Sequence, residues 1–441
     1  MPDTPIYNFA VNGGKKLKGT VTVSGSKNGA MGILCASLLN RGTTTLHRMP
    51  KIEEVYRMLE IFHSIGITTE WNDSTLTIIP PKKLDLKKLD KVAAMKTRSI
   101  IMFIGPLLSH FASFSLPQSG GCKLGSRTVR PHFYALEKLG VSIEATSNAY
   151  KVKRGKTLTP GTEIIMYESG DTATENALMA AASVHGQTTI KYASANYMVQ
   201  DLCGFLRALG VTIEGVGTTT LSVHGTNSII HKEVEYTIGE DPTDAMFFLA
   251  TAIVTKSAIT IKRAPIDFLE LELLKLEKMG FSYKASRPYL SDNGITRLVD
   301  ITTTVPKKLT ASPEKLYGRP YPGVNMDNLP FFAVIATQAE GTTLIHDWSY
   351  EKRAIYFTEL EKLGAETLLA DPHRVYITGP SRLKAAEVVS PSALRPATIL
   401  LVAMLGAPGH SLLRNVYSIR RGYEDLAEKL RSLGADIELV E

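Results

Sequence analysis

The chain has 441 residues, 44% of them apolar and 21% charged, with a formal net charge of +7. That length exceeds what one hydrophobic core usually serves and predicts two domains, while the ordinary composition excludes a disordered or fibrous chain. The basic balance favours anionic partners, but the densest runs, Lys15 to Lys18 and Lys82 to Lys91, are short and read as solvated faces.

Three cysteines, Cys35, Cys122 and Cys203, make no disulfide framework and point to a reducing compartment. Met1-Pro2-Asp3 opens no basic-then-apolar leader, and the longest apolar runs, Ile100 to Leu108 and Met246 to Val254, are too short to span a bilayer. A cytoplasmic protein is expected.

In chain order, a strand-like segment from Lys15 to Thr22 precedes SGSKNGA at residues 24–30, which leads into an apolar helix from Met31 to Leu39. From Gly42 a unit begins in which a strand runs into an amphipathic helix, ended by a glycine and a further short strand. Its first copy is GTTTLHRMPKIEEVYRMLEIFHSIGITTE, where Val55, Met58, Leu59 and Phe62 take the i, i+3, i+4, i+7 spacing of a buried stripe. The third copy starts at Gly186, the fifth at Gly341 and the sixth at Gly409, where Tyr423, Leu426, Leu430 and Leu433 form the stripe. Weaker copies end near Gly140 and Gly280. The closing glycines Gly66, Gly140, Gly210, Gly280, Gly364 and Gly434 recur about every 70 residues. A helix that must stop in a left-handed residue requires glycine there. A period this long exceeds solenoid repeats and suits a compact α+β unit used three times in each of two domains. The polar stretch at residues 226–237 marks the crossing between them, and the strand before Ser24 is expected to pair with the second domain.

Several chemistries are excluded. There is no G-x-x-x-x-G-K-[ST] loop, no G-x-G-x-x-G after a strand, no H-E-x-x-H, no C-x-x-C and no G-x-S-x-G, so nucleotide cradles of those kinds, a metal site and a serine nucleophile are not expected. The loop SLPQSGGCKLGSRTVRPH sets Cys122 among glycines with Lys123 and Arg127 close by, where cations would lower a thiol's pKa; the alternative is a merely exposed thiol. Cys35 and Cys203 read as core residues. Lys27 and Asn28 precede a helix, an arrangement that suits a phosphate or, alternatively, a capped helix with a solvated lysine. Arg98, Arg353, Arg395 and Arg421 stand in restrained surroundings; Arg98 and Arg395 open apolar segments and need anionic partners, either protein carboxylates or a ligand. Asp327 precedes an apolar helix, where it is either a cap or a functional carboxylate.

Taken together, SGSKNGA, GGCKLGSR, ATEN at residues 173–176, DPTDAMFFLATAI and RRGYEDLAEKLRSLGA resemble the enolpyruvyl transferases along nearly the whole chain. The resemblance implies an α+β fold of two inverse α/β barrel-like domains, each built from three βαβαββ repeats. Residues 23–235 would form one domain, and residues 1–22 with 236–441 the other. It is closest to the branch that transfers the enolpyruvyl group of phosphoenolpyruvate to UDP-N-acetylglucosamine, releasing phosphate at the start of peptidoglycan synthesis. Lys27, Asn28, Arg127, Arg353, Arg395 and Arg421 would then hold phosphoenolpyruvate. Asn28, Arg98, Arg127, Thr128, Val129, Arg130, Pro131, Asp327 and Ser349 would contact the UDP-sugar. Cys122 would protonate the methylene carbon and Asp327 would act as general base, with Lys27 and Arg421 completing the catalytic set. No metal or other cofactor, no nucleic acid and no membrane is implied, and a monomer is expected. Arg130, Asn196, Met198 and Ala393 depart from the family's usual acidic residues, which leaves open another acceptor such as UMP or, less in keeping with Cys122, shikimate 3-phosphate. An RNA-binding role would need basic residues interleaved with exposed aromatics, and aromatics are only 7% of the chain.

Overall fold

The computed structural model describes residues 6–118, 128–226 and 230–441. Cys122 and Arg127 lie outside the described residues, as do Gly120, Gly121, Lys123 and Gly125.

The described residues form six sheets and two hydrophobic cores. One core runs from Ala30 to Ile238 in sequence. The other gathers Phe9 to Val23 with Ala245 to Ile437. The repeating unit is plain in the pairings. Thr44–His47 lies antiparallel to Thr75–Ile79, which turns back on Thr68–Asn72, and parallel to Val234–Thr237. Gly186–Lys191 repeats this with Thr220–Gly225 and Thr162–Ile165, and Gly341–His346 repeats it with Arg374–Gly379 and Leu316–Tyr317. Between strand and hairpin a helix crosses the sheet and buries one stripe: Val55, Met58, Leu59 and Phe62 are all at most 4% exposed on the helix Glu53–Ser64. Burying each such side chain contributes roughly 1.5–3 kcal/mol.

All six closing glycines have φ between 80° and 99°, the left-handed conformation expected of them. The fifth and sixth units differ from the amphipathic helix expected. Arg353–Leu363 is a 3-10 helix entered through left-handed Lys352, and the sixth splits into Tyr417–Arg420 and Leu426–Ser432 around left-handed Asp425. Tyr423 therefore sits outside the second of these helices, although it is buried with Leu426, Leu430 and Leu433. Beneath the sheets run helices that are buried on nearly every side, including Lys27–Ser37 beyond its first two residues, Pro242–Val254, Leu329–Ala336 and Leu394–Gly406. Helices of this kind belong inside a core rather than on its surface. Among the described residues no helix is long and apolar enough to cross a membrane.

The N-terminal strands pair with the C-terminal half. Lys18–Thr22 runs parallel to Ala258–Pro265, and Asn8–Gly13 lies between Gly409–Arg414 and Asp436–Val440. The chain then passes to the first core at Ser24 and Gly25 and returns at Gly239 to Asp241. These two crossings are bonded to each other: Ser26 N donates to Gly239 O at 2.7 Å, and Asp241 N to Ser24 O at 3.0 Å.

Candidate active site

A cleft of about 760 Å³ opens where the two cores face each other. It is lined by Lys27, Asn28, Arg98, Thr128, Asp327, Ser349, Arg353, Arg395 and Arg421. Val129, Arg130 and Pro131 are not part of that lining; Arg130 and Pro131 begin the helix Arg130–Glu137, with Arg130 exposed and Pro131 buried.

Lys27 and Asn28 start the helix Lys27–Ser37, whose cap is Ser26, its hydroxyl accepting from Gly29 N at 3.0 Å. The Lys27 amide donates to Asp241 Oδ2 at 3.2 Å and its Nζ to Asn28 Oδ1 at 3.2 Å, so the ammonium is held over the helix start. Gly422 leaves room beside the Lys27 side chain, since a Cβ there would stand 2.4 Å from Leu394 Cδ2 and 3.1 Å from Lys27 Cδ. Asn28 Nδ2 reaches Tyr197 Oη at 3.0 Å and Asp327 Oδ2 at 3.5 Å, bridging the two halves.

Asp327 is not a helix cap. The helix Leu329–Ala336 begins after Asn328, and Asp327 lies one residue further out with its side chain 22% exposed. A local turn aims it: Asp327 N donates to Asn325 Oδ1 at 2.9 Å. Buried Glu272 anchors that turn, its Oε1 accepting from Asn325 N at 2.9 Å and Asn328 Nδ2 at 3.1 Å. Around the Asp327 carboxylate stand Tyr350 Oη at 3.3 Å, Arg395 Nη2 at 3.5 Å and Arg353 Nη1 at 3.9 Å.

The arginines differ in what holds them. Arg353, 1% exposed, is gripped by buried Asp347, donates from Nη2 to Met326 O at 2.6 Å and lies over the Tyr350 ring. Burial opposes its charge, but Asp347 and Tyr350 outweigh that and hold it firmly protonated. Arg395 donates from Nη1 to Tyr423 Oη at 2.8 Å; burial again opposes the charge and Tyr423 with Asp327 restores it. Arg421 crosses the cleft to Glu54, donating from Nη2 at 2.6 Å and Nε at 3.0 Å to one oxygen, while Thr97 Oγ1 donates to the other at 3.0 Å. Burial would raise the Glu54 pKa, yet Lys27 and Arg421 together pull it below the ordinary value. Arg98 lies at the start of the 3-10 helix Arg98–Phe103, on the first half's side.

Sequence reasoning missed Glu54, Asp347, Tyr350 and Tyr423, the partners that position the expected arginines, and Tyr197, which holds Asn28. Arg319 and Trp348 in the cleft wall were missed as well. Of the positions that depart from the family pattern, Asn196 caps the helix Tyr197–Ala208 and donates to Asp171, Met198 lines the cleft, and Ala393 is fully buried before Leu394–Gly406. Cys35 and Cys203 are core residues, as expected, with burial pushing both thiols up.

Chemically, the arrangement offers the Asp327 carboxylate among the neutral and cationic donors Asn28, Tyr350, Arg353 and Arg395, with Lys27 and the Arg421–Glu54 pair lining the same cleft, which two halves must share. That suits holding a small multiply charged anion next to a group that surrenders a proton.

Residues 11–430 match the family model described as EPSP synthase (3-phosphoshikimate 1-carboxyvinyltransferase). Relatives named UDP-N-acetylglucosamine 1-carboxyvinyltransferase include one from Treponema denticola, 34% identical with 99% of this chain and 100% of that protein covered. One from Bradyrhizobium diazoefficiens is 34% identical over 98% of each chain. One from Chlorobium limicola is 35% identical over 97% of each. Among solved structures, the enolpyruvyl transferase NikO from Streptomyces tendae superimposes with a TM-score of 0.84 at 25% identity, covering 99% of both chains. EPSP synthase from Acinetobacter baumannii shares the fold, with a TM-score of 0.75 at 18% identity over 99% of this chain and 100% of that one.

Proposed function

The chain belongs to the EPSP synthase family of enolpyruvyl transferases, and from that premise we propose that it transfers the enolpyruvyl group of phosphoenolpyruvate to the 3-hydroxyl of UDP-N-acetylglucosamine, releasing phosphate. The observation that carries this reading is the placement of Asp327 between Asn28 of one half and Arg353 and Arg395 of the other, with Lys27 and Arg421 at the same cleft. The curated relatives over nearly the full chain supply the acceptor.

In this reading the phosphate and carboxylate of phosphoenolpyruvate displace Arg421 from Glu54 and settle among Lys27, Arg353, Arg395 and Arg421, with Arg127 as a further ligand. Asp327 takes the proton of the attacking hydroxyl as its oxygen bonds to the central carbon of phosphoenolpyruvate. Cys122 delivers a proton to the methylene carbon, giving a tetrahedral ketal. Loss of a methyl proton and expulsion of phosphate leave the enolpyruvyl ether. Asn28, Arg98, Thr128 and Ser349 hold the UDP-sugar, and Val129, Arg130 and Pro131 support that side. The reaction would open peptidoglycan synthesis in the cytoplasm, catalysed by a monomer whose two domains are residues 23–235 and residues 1–22 with 236–441.

Phosphate release from phosphoenolpyruvate in the presence of UDP-N-acetylglucosamine tests this, with Cys122→Ala and Asp327→Asn as controls. Release by the native protein that falls in both variants is expected. Silence of the native protein with this acceptor would defeat the reading.

A further inference from the structure

The return crossing at Gly239 to Asp241 is held by side chains as well as by backbone. Glu240 stands at its middle, 2% exposed, and three donors of the second half converge on its Oε1: Arg263 Nε at 2.9 Å, Arg263 Nη2 at 2.6 Å and Ser291 Oγ at 3.1 Å. Arg263 Nη2 also donates to Asp292 Oδ2 at 2.7 Å. From the first half comes Arg48, and it stops short. Its Nε stands 3.7 Å from the same oxygen, and its Nη2 donates to Val23 O at 2.8 Å instead. Glu240 Oε2 and Arg48 Nε are both buried and without a hydrogen-bond partner among the described residues.

The repeat explains how two arginines reach one carboxylate. Arg48 follows the strand Thr44–His47 of the first unit, and Arg263 holds the same place in the fourth, after Lys262. Both are left-handed, with φ of 55° and 61°, as are Tyr192 and Asn415 at that place in the third and sixth units. The turn therefore belongs to the repeat; an arginine on it in the leading unit of each half is what is particular to the crossing. Leaving buried polar atoms unpaired between them lowers stability, so packing alone does not account for a clasp made on one side only.

We propose that Glu240 is a positioning residue for the reaction: held by the second half, it sets the crossing to which the start of the helix Lys27–Ser37 is bonded, and so places Lys27 and Asn28 against Asp327. The inference rests on the function proposed above, since it takes those three residues to act together on the substrates. The neighbours of Glu240 supply the link. On one side Gly239 O accepts from Ser26 N at 2.7 Å, and Ser26 is the cap of that helix. On the other, Asp241 Oδ2 accepts from Lys27 N at 3.2 Å, and Asp241 N donates to Ser24 O at 3.0 Å. Asn28, one residue further, reaches Asp327 Oδ2 at 3.5 Å. Arg263 is thus joined to the first-half groups of the cleft through a single residue of the crossing.

The test uses the full chain and three readouts: phosphate release at saturating substrates, calorimetric titration with each substrate, and small-angle X-ray scattering without ligands. Glu240→Gln keeps the size of the side chain and loses the charge that holds Arg263. Misplacing reacting groups by about 1 Å costs on the order of 10²-fold in rate, so a partial displacement is expected to lower kcat about tenfold. Both Kd values should stay within about threefold, because the ligand-binding groups themselves are intact. The radius of gyration should exceed that of the native protein. Arg263→Lys keeps a cation but cannot set two donors on one oxygen, so its kcat should fall as well; it carries the test if Glu240→Gln fails to fold. Glu240→Gln with Arg263→Gln should lose no more than the worse single variant, because both break one contact. Arg48→Gln should keep kcat within about threefold of native, since Arg48 makes no hydrogen bond to Glu240. A lower urea midpoint with unchanged kcat in Glu240→Gln would overturn the proposal and leave Glu240 a structural residue. An equal loss in Arg48→Gln would also overturn it, by putting the grip in the first half. Native protein that releases no phosphate would defeat the proposed function. The scattering would then decide whether Glu240 holds the halves, an unchanged radius of gyration overturning that too.

Discussion

Under the proposed function, Glu54 and the phosphate of phosphoenolpyruvate would compete for one arginine, Arg421. The Glu54 carboxylate is 5% exposed and takes two donations from the Arg421 guanidinium, whose side chain is 19% exposed. A hydrogen bond to a charged group contributes about 1.5–3 kcal/mol net, and an incoming anion must give up that much before it gains anything from Arg421. Glu54→Gln keeps the side chain's shape and its contact with Thr97 but removes the charge. The expected result is phosphoenolpyruvate binding about tenfold tighter, equivalent to ~1.4 kcal/mol, with a thermal stability lower by a similar amount in phosphate-free buffer. Isothermal titration of phosphoenolpyruvate reads the first quantity and an unfolding curve the second. Because the folded Glu54 pKa is depressed, its stabilisation is present above the ordinary glutamate range and is lost as pH falls through the depressed value. The glutamine variant should lack that acid loss. Weaker phosphoenolpyruvate binding by Glu54→Gln would refute the competition and make Glu54 a support for the site instead.

Asp327→Asn should lower kcat by roughly 10²–10⁴-fold while leaving the Kd of either substrate within severalfold, as removal of a general base does; a change in KM alone would argue for a binding role. Asp347→Ala strands the buried Arg353 guanidinium and should destabilise the fold by about 3–5 kcal/mol, measured as a shift of the urea midpoint. His132 is held neutral, its pKa lowered to about 3 by burial and by Arg98. The unfolded chain binds that proton and the folded chain does not, so stability should fall on acidification from about pH 6.5 by up to ~1.4 kcal/mol per unit. His132→Gln should flatten that slope in pH-dependent unfolding curves.

Much of the fold was legible because the physics that ends each unit is local. A helix that stops in a left-handed turn needs glycine whatever surrounds it, and the six closing glycines adopt that conformation. Arg98 and Arg395 were legible as arginines that open apolar segments, where a core should not have one, and both line the cleft. The partners of the site residues were not. Arg421 meets Glu54 across 367 positions of sequence and Asn28 meets Asp327 across 299, and a single chain carries no local sign of such meetings. Asp347 looks like any acidic residue at the end of a strand until Arg353 is folded onto it. Asp327 looked like a helix cap because it stands before an apolar run, but the turn built by Asn325 and Glu272 displaces the helix start beyond it.

The two crossings between the cores have a mechanical consequence. One strand joining two bodies would let them twist, sway and bend with little preference. Here the passages at Ser24 to Ser26 and Gly239 to Asp241 run side by side and hold each other through backbone hydrogen bonds. A paired ribbon resists torsion and lateral shear far more than it resists folding across its width. Any relative movement of the halves is therefore expected to follow one easy coordinate, folding across this ribbon, which would keep Lys27 of one half in register with Arg395 of the other.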